Sequence, residues 1–119
     1  MHTALVYELP PFDTGQYEGC EFRMREGAAS LHIHVAELGT LTVGFSRVRW
    51  HQFTVLPNCT AEMVSAAYFR LVEVASPELQ AFIAADSSSA KAYSELHHYR
   101  IFLDETGCHE VFAQSFSAS

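Results

Sequence analysis

Between Tyr17 and Val55 the chain alternates apolar and polar residues with a period of two. Cys20, Phe22 and Met24 fall on one side of such a segment, and Glu21, Arg23 and Arg25 on the other. Leu31, Ile33 and Val35 oppose His32 and His34; Leu41, Val43 and Phe45 share a face. Successive side chains of a strand point to opposite faces, so this spacing describes strands with one face on a core and excludes amphipathic helices over the same residues. The parity of the apolar positions changes around Gly44-Phe45-Ser46, odd before and even after at Val48 and Trp50. A bulge or turn there restores the register and leaves a strand over Arg47–Val55, with Arg47, Arg49 and His51 on one face.

The flanking segments extend this pattern. Thr3–Leu9 reads as a first strand stopped by Pro10-Pro11. Residues 62–75 fit helical spacing, while Tyr68–Val74 has the β-branched and aromatic composition of a strand; the strand is the preferred reading. Ser76-Pro77-Glu78 starts a helix: Ser caps, Pro suits the first helical position, and Glu faces the positive end of the helix dipole. Leu79, Phe82 and Ile83 give that helix its apolar stripe, and it should end near Asp86, ahead of a polar Ser87–Ser89 link. Lys91–Leu96 reads as a helical turn or a loop. His97–Leu103 and Glu110–Phe116 form a closing hairpin around Asp104–Gly107. The expected fold is mainly β, at the margin of α+β: an antiparallel sandwich or curved sheet of seven to eight strands with one short helix near residues 77–86. A chain of 119 residues makes one domain, 1–119, able to bury a single core without staples.

Charge and cysteine usage narrow the function classes. Fourteen acidic residues oppose seven basic ones, of which Lys91 is the one lysine. A formal charge of −7 repels phosphate backbones and anionic lipid, so neither nucleic acid nor a membrane surface is an expected partner. Cys20, Cys59 and Cys108 are odd in number and lack CxxC spacing, which suits free thiols in a reducing compartment. With no secretory signal pattern and no apolar stretch of spanning length, the expected location is the cytoplasm.

Three side-chain sets carry potential chemistry. His32 and His34 lie on one face of a strand, roughly 6–7 Å apart by strand rise, with Glu37 following and His51 expected on an adjacent strand; such a set can ligate a divalent transition metal. Arg23 and Arg25 share a face, as do Arg47 and Arg49, and guanidinium forks suit a carboxylate or phosphate on an anionic ligand or a protein partner. The preferred reading of those arginines is pairing with Glu21, Glu37 or similar acids across strands. Cys108-His109-Glu110 is adjacent in print, but neighbours on a strand face opposite ways, so Cys108 and His109 cannot meet there. No GxGxxG, P-loop, GxSxG or HExxH pattern occurs.

Two resemblances follow from these residues. Gly27…His32-x-His34…Glu37…Gly44 is similar to the first signature of the cupin barrels, with two spacings one residue short and no second signature after Pro57-Asn58. That resemblance implies a metal-dependent enzyme or sensor ligated by His32, His34 and Glu37. The strand at Tyr68–Val74, Ser76-Pro77-Glu78-Leu79, His97-His98-Tyr99 and Glu110-Val111-Phe112-Ala113 together resemble small bacterial β-rich proteins, some of which are immunity proteins that neutralise a toxin. That resemblance implies a non-catalytic binding protein with no cofactor and a protein partner. Self-association through strand edges and aromatics such as Trp50, Phe53 and Phe116 is compatible with it.

Overall fold

The computed structural model describes residues 3–85 and 96–119. The expected helix end at Asp86, the serine link and residues 91–95 lie outside them. Among the described residues nine strands occur in chain order: β1 (Thr3–Glu8), β2 (Tyr17–Arg25), β3 (Ala28–Val35), β4 (Gly39–Ser46), β5 (Trp50–Val55), β6 (Arg70–Val74), β7 (His97–Leu103), β8 (Gly107–Ala113) and β9 (Ser115–Ala118). Helix α1 (Ala61–Ser65) precedes β6, and α2 (Pro77–Ala85) follows it. The strands form two antiparallel sheets. One has five strands in the order β1-β6-β7-β8-β5, and the other has four in the order β2-β3-β4-β9.

The alternation in the sequence is the burial pattern of the four-stranded sheet. On β3, Ala29, Leu31, Ile33 and Val35 are buried and pack on Leu71, Tyr99, Ile101, Leu103 and Val111 of the five-stranded sheet. The intervening Ser30, His32 and His34 stay half-buried on the outer face. β7 and β8 behave differently, because nearly every residue on them is buried. Their second face is covered by helices. Met63 and Val64 of α1 lie over Phe102, Cys108, Val72 and Val74, while Leu79, Phe82 and Ile83 of α2 lie over Phe112 and Trp50. Complete burial of a Phe contributes roughly 2–3 kcal/mol, so Phe102 and Phe112 anchor these helices.

The parity change near Gly44 marks a bend where the chain crosses from one sheet to the other. β4 ends at Ser46 and β5 begins at Trp50. Arg47 takes a left-handed φ of 52° in between. The Arg49 N–H donates to the Phe112 carbonyl at 2.8 Å, and the Gln114 N–H donates to the Ser46 carbonyl at 3.0 Å. The C-terminal run crosses at the same corner. Glu110–Phe116 is therefore not one strand: it divides at Gln114 between β8 in one sheet and β9 in the other, which raises the strand count to nine. Strands that change sheets by a bend are how sandwiches make their corners.

The ambiguous stretch 62–75 contains both elements weighed for it. Thr60 Oγ1 accepts from the Met63 N–H at 3.2 Å and caps α1, so a second α-helix is present, and β6 starts at Arg70. At α2 the expected cap is in place, with Ser76 Oγ accepting from the Leu79 N–H at 3.1 Å. No helix of the described residues is long and apolar enough to cross a membrane.

Candidate functional site: an arginine-lined corner

The hairpin from β2 to β3 turns through Glu26 and Gly27, both with left-handed backbone (φ 54° and 81°), and Arg25 pairs directly with Ala28. Two consecutive residues of positive φ make the turn whose twist matches a tight hairpin. The Gly27 carbonyl accepts from the Val48 N–H at 2.7 Å, which ties the Arg47–Arg49 bend to this turn. Two separate pairs of arginines thereby meet at one corner. Arg23, Arg25, Ser30 and His32 line a shallow hollow of about 260 Å³ on one side of Ala28. Arg47, Val48, Arg49 and Glu26 line another of about 260 Å³ that also borders Ala28.

The electrostatics of this corner oppose those of the molecule. Four of the seven basic residues sit here against two acids, Glu21 and Glu26, leaving three bases and twelve acids for the rest of the chain. Arg23 is held by Glu21 at 3.1 Å, and the same oxygen of Glu21 bonds His34 Nε2 at 3.0 Å. The His34 hydrogen bond, and then the Arg23 charge, hold the Glu21 carboxyl below its usual range. All three side chains are solvent-facing, so this network contributes little to stability. Arg25 and Arg47 are exposed and make no ion pair among the described residues. Their guanidinium forks are available to an incoming acceptor.

The expected metal set is not assembled. His32 is bonded to Ser30 Oγ at 2.8 Å and Thr42 Oγ1 at 3.4 Å, on the outer face of β3. His34 is bonded to Thr40 Oγ1 at 3.0 Å and to Glu21. Glu37 lies in the β3–β4 turn and accepts from Gln16 Nε2 at 3.2 Å. His51 belongs to the other sheet and points between the two, its ring stacked on Phe22 with centroids 3.8 Å apart. The expectation that His51 shares a face with Arg47 and Arg49 is corrected, because those arginines occupy the bend and the strand begins only at Trp50. Val48 and Trp50 are likewise parted: Val48 joins the core between the sheets and Trp50 packs beneath α2. Among the described residues no group of three or more His, Cys, Asp or Glu side chains is placed to hold a metal ion.

Two polar clusters have no counterpart in the sequence reading. Between the sheets, Cys20 Sγ lies 3.8 Å from His109 Nε2, and His109 Nδ1 lies 3.4 Å from His51 Nε2. Burial, reinforced by His51, pushes His109 down to about 4, and burial raises the Cys20 thiol. A protonated thiol beside a neutral imidazole is the reverse of an activated thiolate pair. Burial also raises Cys59 and pushes Cys108 up to about 12. Cys108 packs beneath α1, whereas His109 faces the other sheet, as strand alternation requires. The second cluster lies on the helix-covered face. His98 bridges Ser76 Oγ at 2.8 Å and Glu110 Oε1 at 2.9 Å, and Arg100 Nε donates to the same oxygen at 3.0 Å. His98, Arg100 and Glu110, with Trp50, Gln52 and Glu78, line a cleft of about 200 Å³. Arg100 Nη1 is buried without a hydrogen-bond acceptor among the described residues, 3.8 Å from Glu62 Oε1. The signal for both clusters was the parity of His98, Arg100, His109 and Glu110, but assigning partners required knowing that β2 lies over β5 and β8 for the first, and that β7 pairs with β8 so that Arg100 stands opposite Glu110 for the second.

Comparison with known proteins finds no matching family model, no matching curated protein and no matching solved structure.

Proposed function

We propose that this chain is a non-catalytic binding protein whose contact surface is the arginine corner, and that the group it receives is an acidic one on a protein partner. The observation carrying this reading is the gathering of Arg23, Arg25, Arg47 and Arg49 from two distant chain segments around Ala28, on a molecule otherwise strongly acidic. Exposed guanidinium groups recognise carboxylates through paired donors, and a local patch of opposite sign fixes orientation as well as affinity. A phosphate polymer suits this surface less. Its charge extends well past the Debye length of about 8 Å, so it meets the acidic body as well as the patch.

Neutralisation of a toxin, as immunity proteins do it, is one form of this reading, since covering a partner's surface requires no reacting group. Free Cys20, Cys59 and Cys108 support a cytoplasmic setting for it. The metal-dependent alternative draws no support from the placement of His32, His34 and Glu37, whose polar atoms bond hydroxyls, Glu21 and Gln16.

Affinity capture from a native extract tests the proposal, using wild-type protein beside an Arg25→Glu/Arg47→Glu double variant. A partner with an acidic surface should be retained by the wild type, released by salt, and lost on the variant. Retention of the same set by both proteins contradicts the proposal.

A further inference from the structure

We propose that the free edge of β2 is a template for an added strand, and that its occupant is an extended segment of a partner protein alternating acidic and apolar residues. This inference rests on the arginine corner being the contact surface and specifies how the partner engages it. Among the described residues β2 ends the four-stranded sheet, and its one strand partner is β3. The pairing slips at Gly19, whose φ is 123°, and then runs regularly from Cys20 opposite Ile33 to Arg25 opposite Ala28. That leaves one side of a regular strand roughly 20 Å long with its backbone donors and acceptors presented outward.

The side chains along this edge define what fits. Arg23 and Arg25 stand on the outer face, separated by two residues of rise, roughly 7 Å. Residues on an added strand lie directly opposite, with Cβ separations of about 4.5–5.5 Å, so carboxylates two positions apart meet both guanidinium groups. On the other face Met24 is 53% exposed at the end of the core, next to the half-buried Phe22. The residue between the two acids therefore meets a thioether and should be apolar. Main-chain hydrogen bonds supply affinity in this mode of recognition, and the alternating side chains supply specificity. Edge arginines also serve as guards against unwanted strand pairing, and the test separates these roles.

Fluorescence anisotropy decides the matter with a short labelled peptide alternating Val and Glu. Its comparators are a peptide of the same composition with the glutamates contiguous, and the alternating peptide N-methylated along one edge. Strand addition predicts that the alternating peptide binds at least about tenfold more tightly than either comparator. It also predicts that Arg23→Glu/Arg25→Glu abolishes the preference in a protein of unchanged thermal stability. Equal binding of all three peptides, still lost on the arginine variant, overturns strand addition and leaves the arginine corner intact. Binding that is undetectable for every peptide, or indifferent to the arginines, overturns both.

Discussion

His109 is the residue whose ionisation most directly couples this fold to pH. Its ring is buried between the sheets beside His51 and Cys20, and its pKa falls from 6.5 to about 4. Above pH 6.5 neither folded nor unfolded chain protonates it, so nothing is lost there. As pH falls from 6.5 towards 4 the unfolded chain takes the proton first and stability declines, by about 3 kcal/mol in total. His51, lowered by burial, acts with the same sign. Urea unfolding across this window should show the decline, and His109→Phe should flatten it; a wild-type midpoint that ignores pH there contradicts the assignment. Glu110 behaves oppositely. Burial raises its pKa, but His98 and Arg100 outweigh burial and hold it below 4.5. Its contribution is present above that value and disappears only at more acid pH. Glu110→Gln strands the Arg100 charge and should cost about 3–5 kcal/mol in chemical denaturation, most of it recovered by adding Arg100→Met.

At the scale of elements, the β7–β8 hairpin turns on Gly107. Its φ is 147°, and a methyl group there would run into the Thr54 carbonyl of β5. Gly107→Ala should therefore destabilise by roughly 2–4 kcal/mol in thermal unfolding, whereas Gly39→Ala, with open space around it, should suffer only its backbone strain. Elements were legible by two signals: alternation where burial is one-sided, and apolar, aromatic composition at β7, whose bounds are those read from the sequence although both its faces are buried. β3 alternates in sequence as it does in burial, and α2 begins at Pro77 because Ser76 caps it. The same logic failed where the chain changes sheets. Across Ser46–Arg49 and again at Gln114, alternate residues stop sharing a face, so Val48 parts from Trp50 and Glu110–Phe116 becomes two strands. Of the candidate sites, the arginine pairs were visible residue by residue. Their meeting follows from long-range pairing that no local pattern encodes: the β3–β4 register sets Ala29 opposite Phe45, and the Val48 N–H donates to the Gly27 carbonyl.

For the whole molecule the defining property is separation of charge, with a basic corner on a body that holds most of the acids. Attraction of an acidic partner to such a surface is screened by salt, so association should slow as ionic strength rises while dissociation changes less. Stopped-flow mixing with the captured partner checks this, and a salt-independent association rate would argue against electrostatic steering. A net charge of −7 opposes self-association, and light scattering should report a monomer at low salt. The most direct measurement follows the arginine Nε–Hε resonances by NMR during titration with a short glutamate-rich peptide. Arg25 and Arg47 should shift saturably while Arg70, paired with Glu8 at 3.5 Å away from the corner, stays in place. Equal movement of Arg70, or no movement at the corner, would contradict the account.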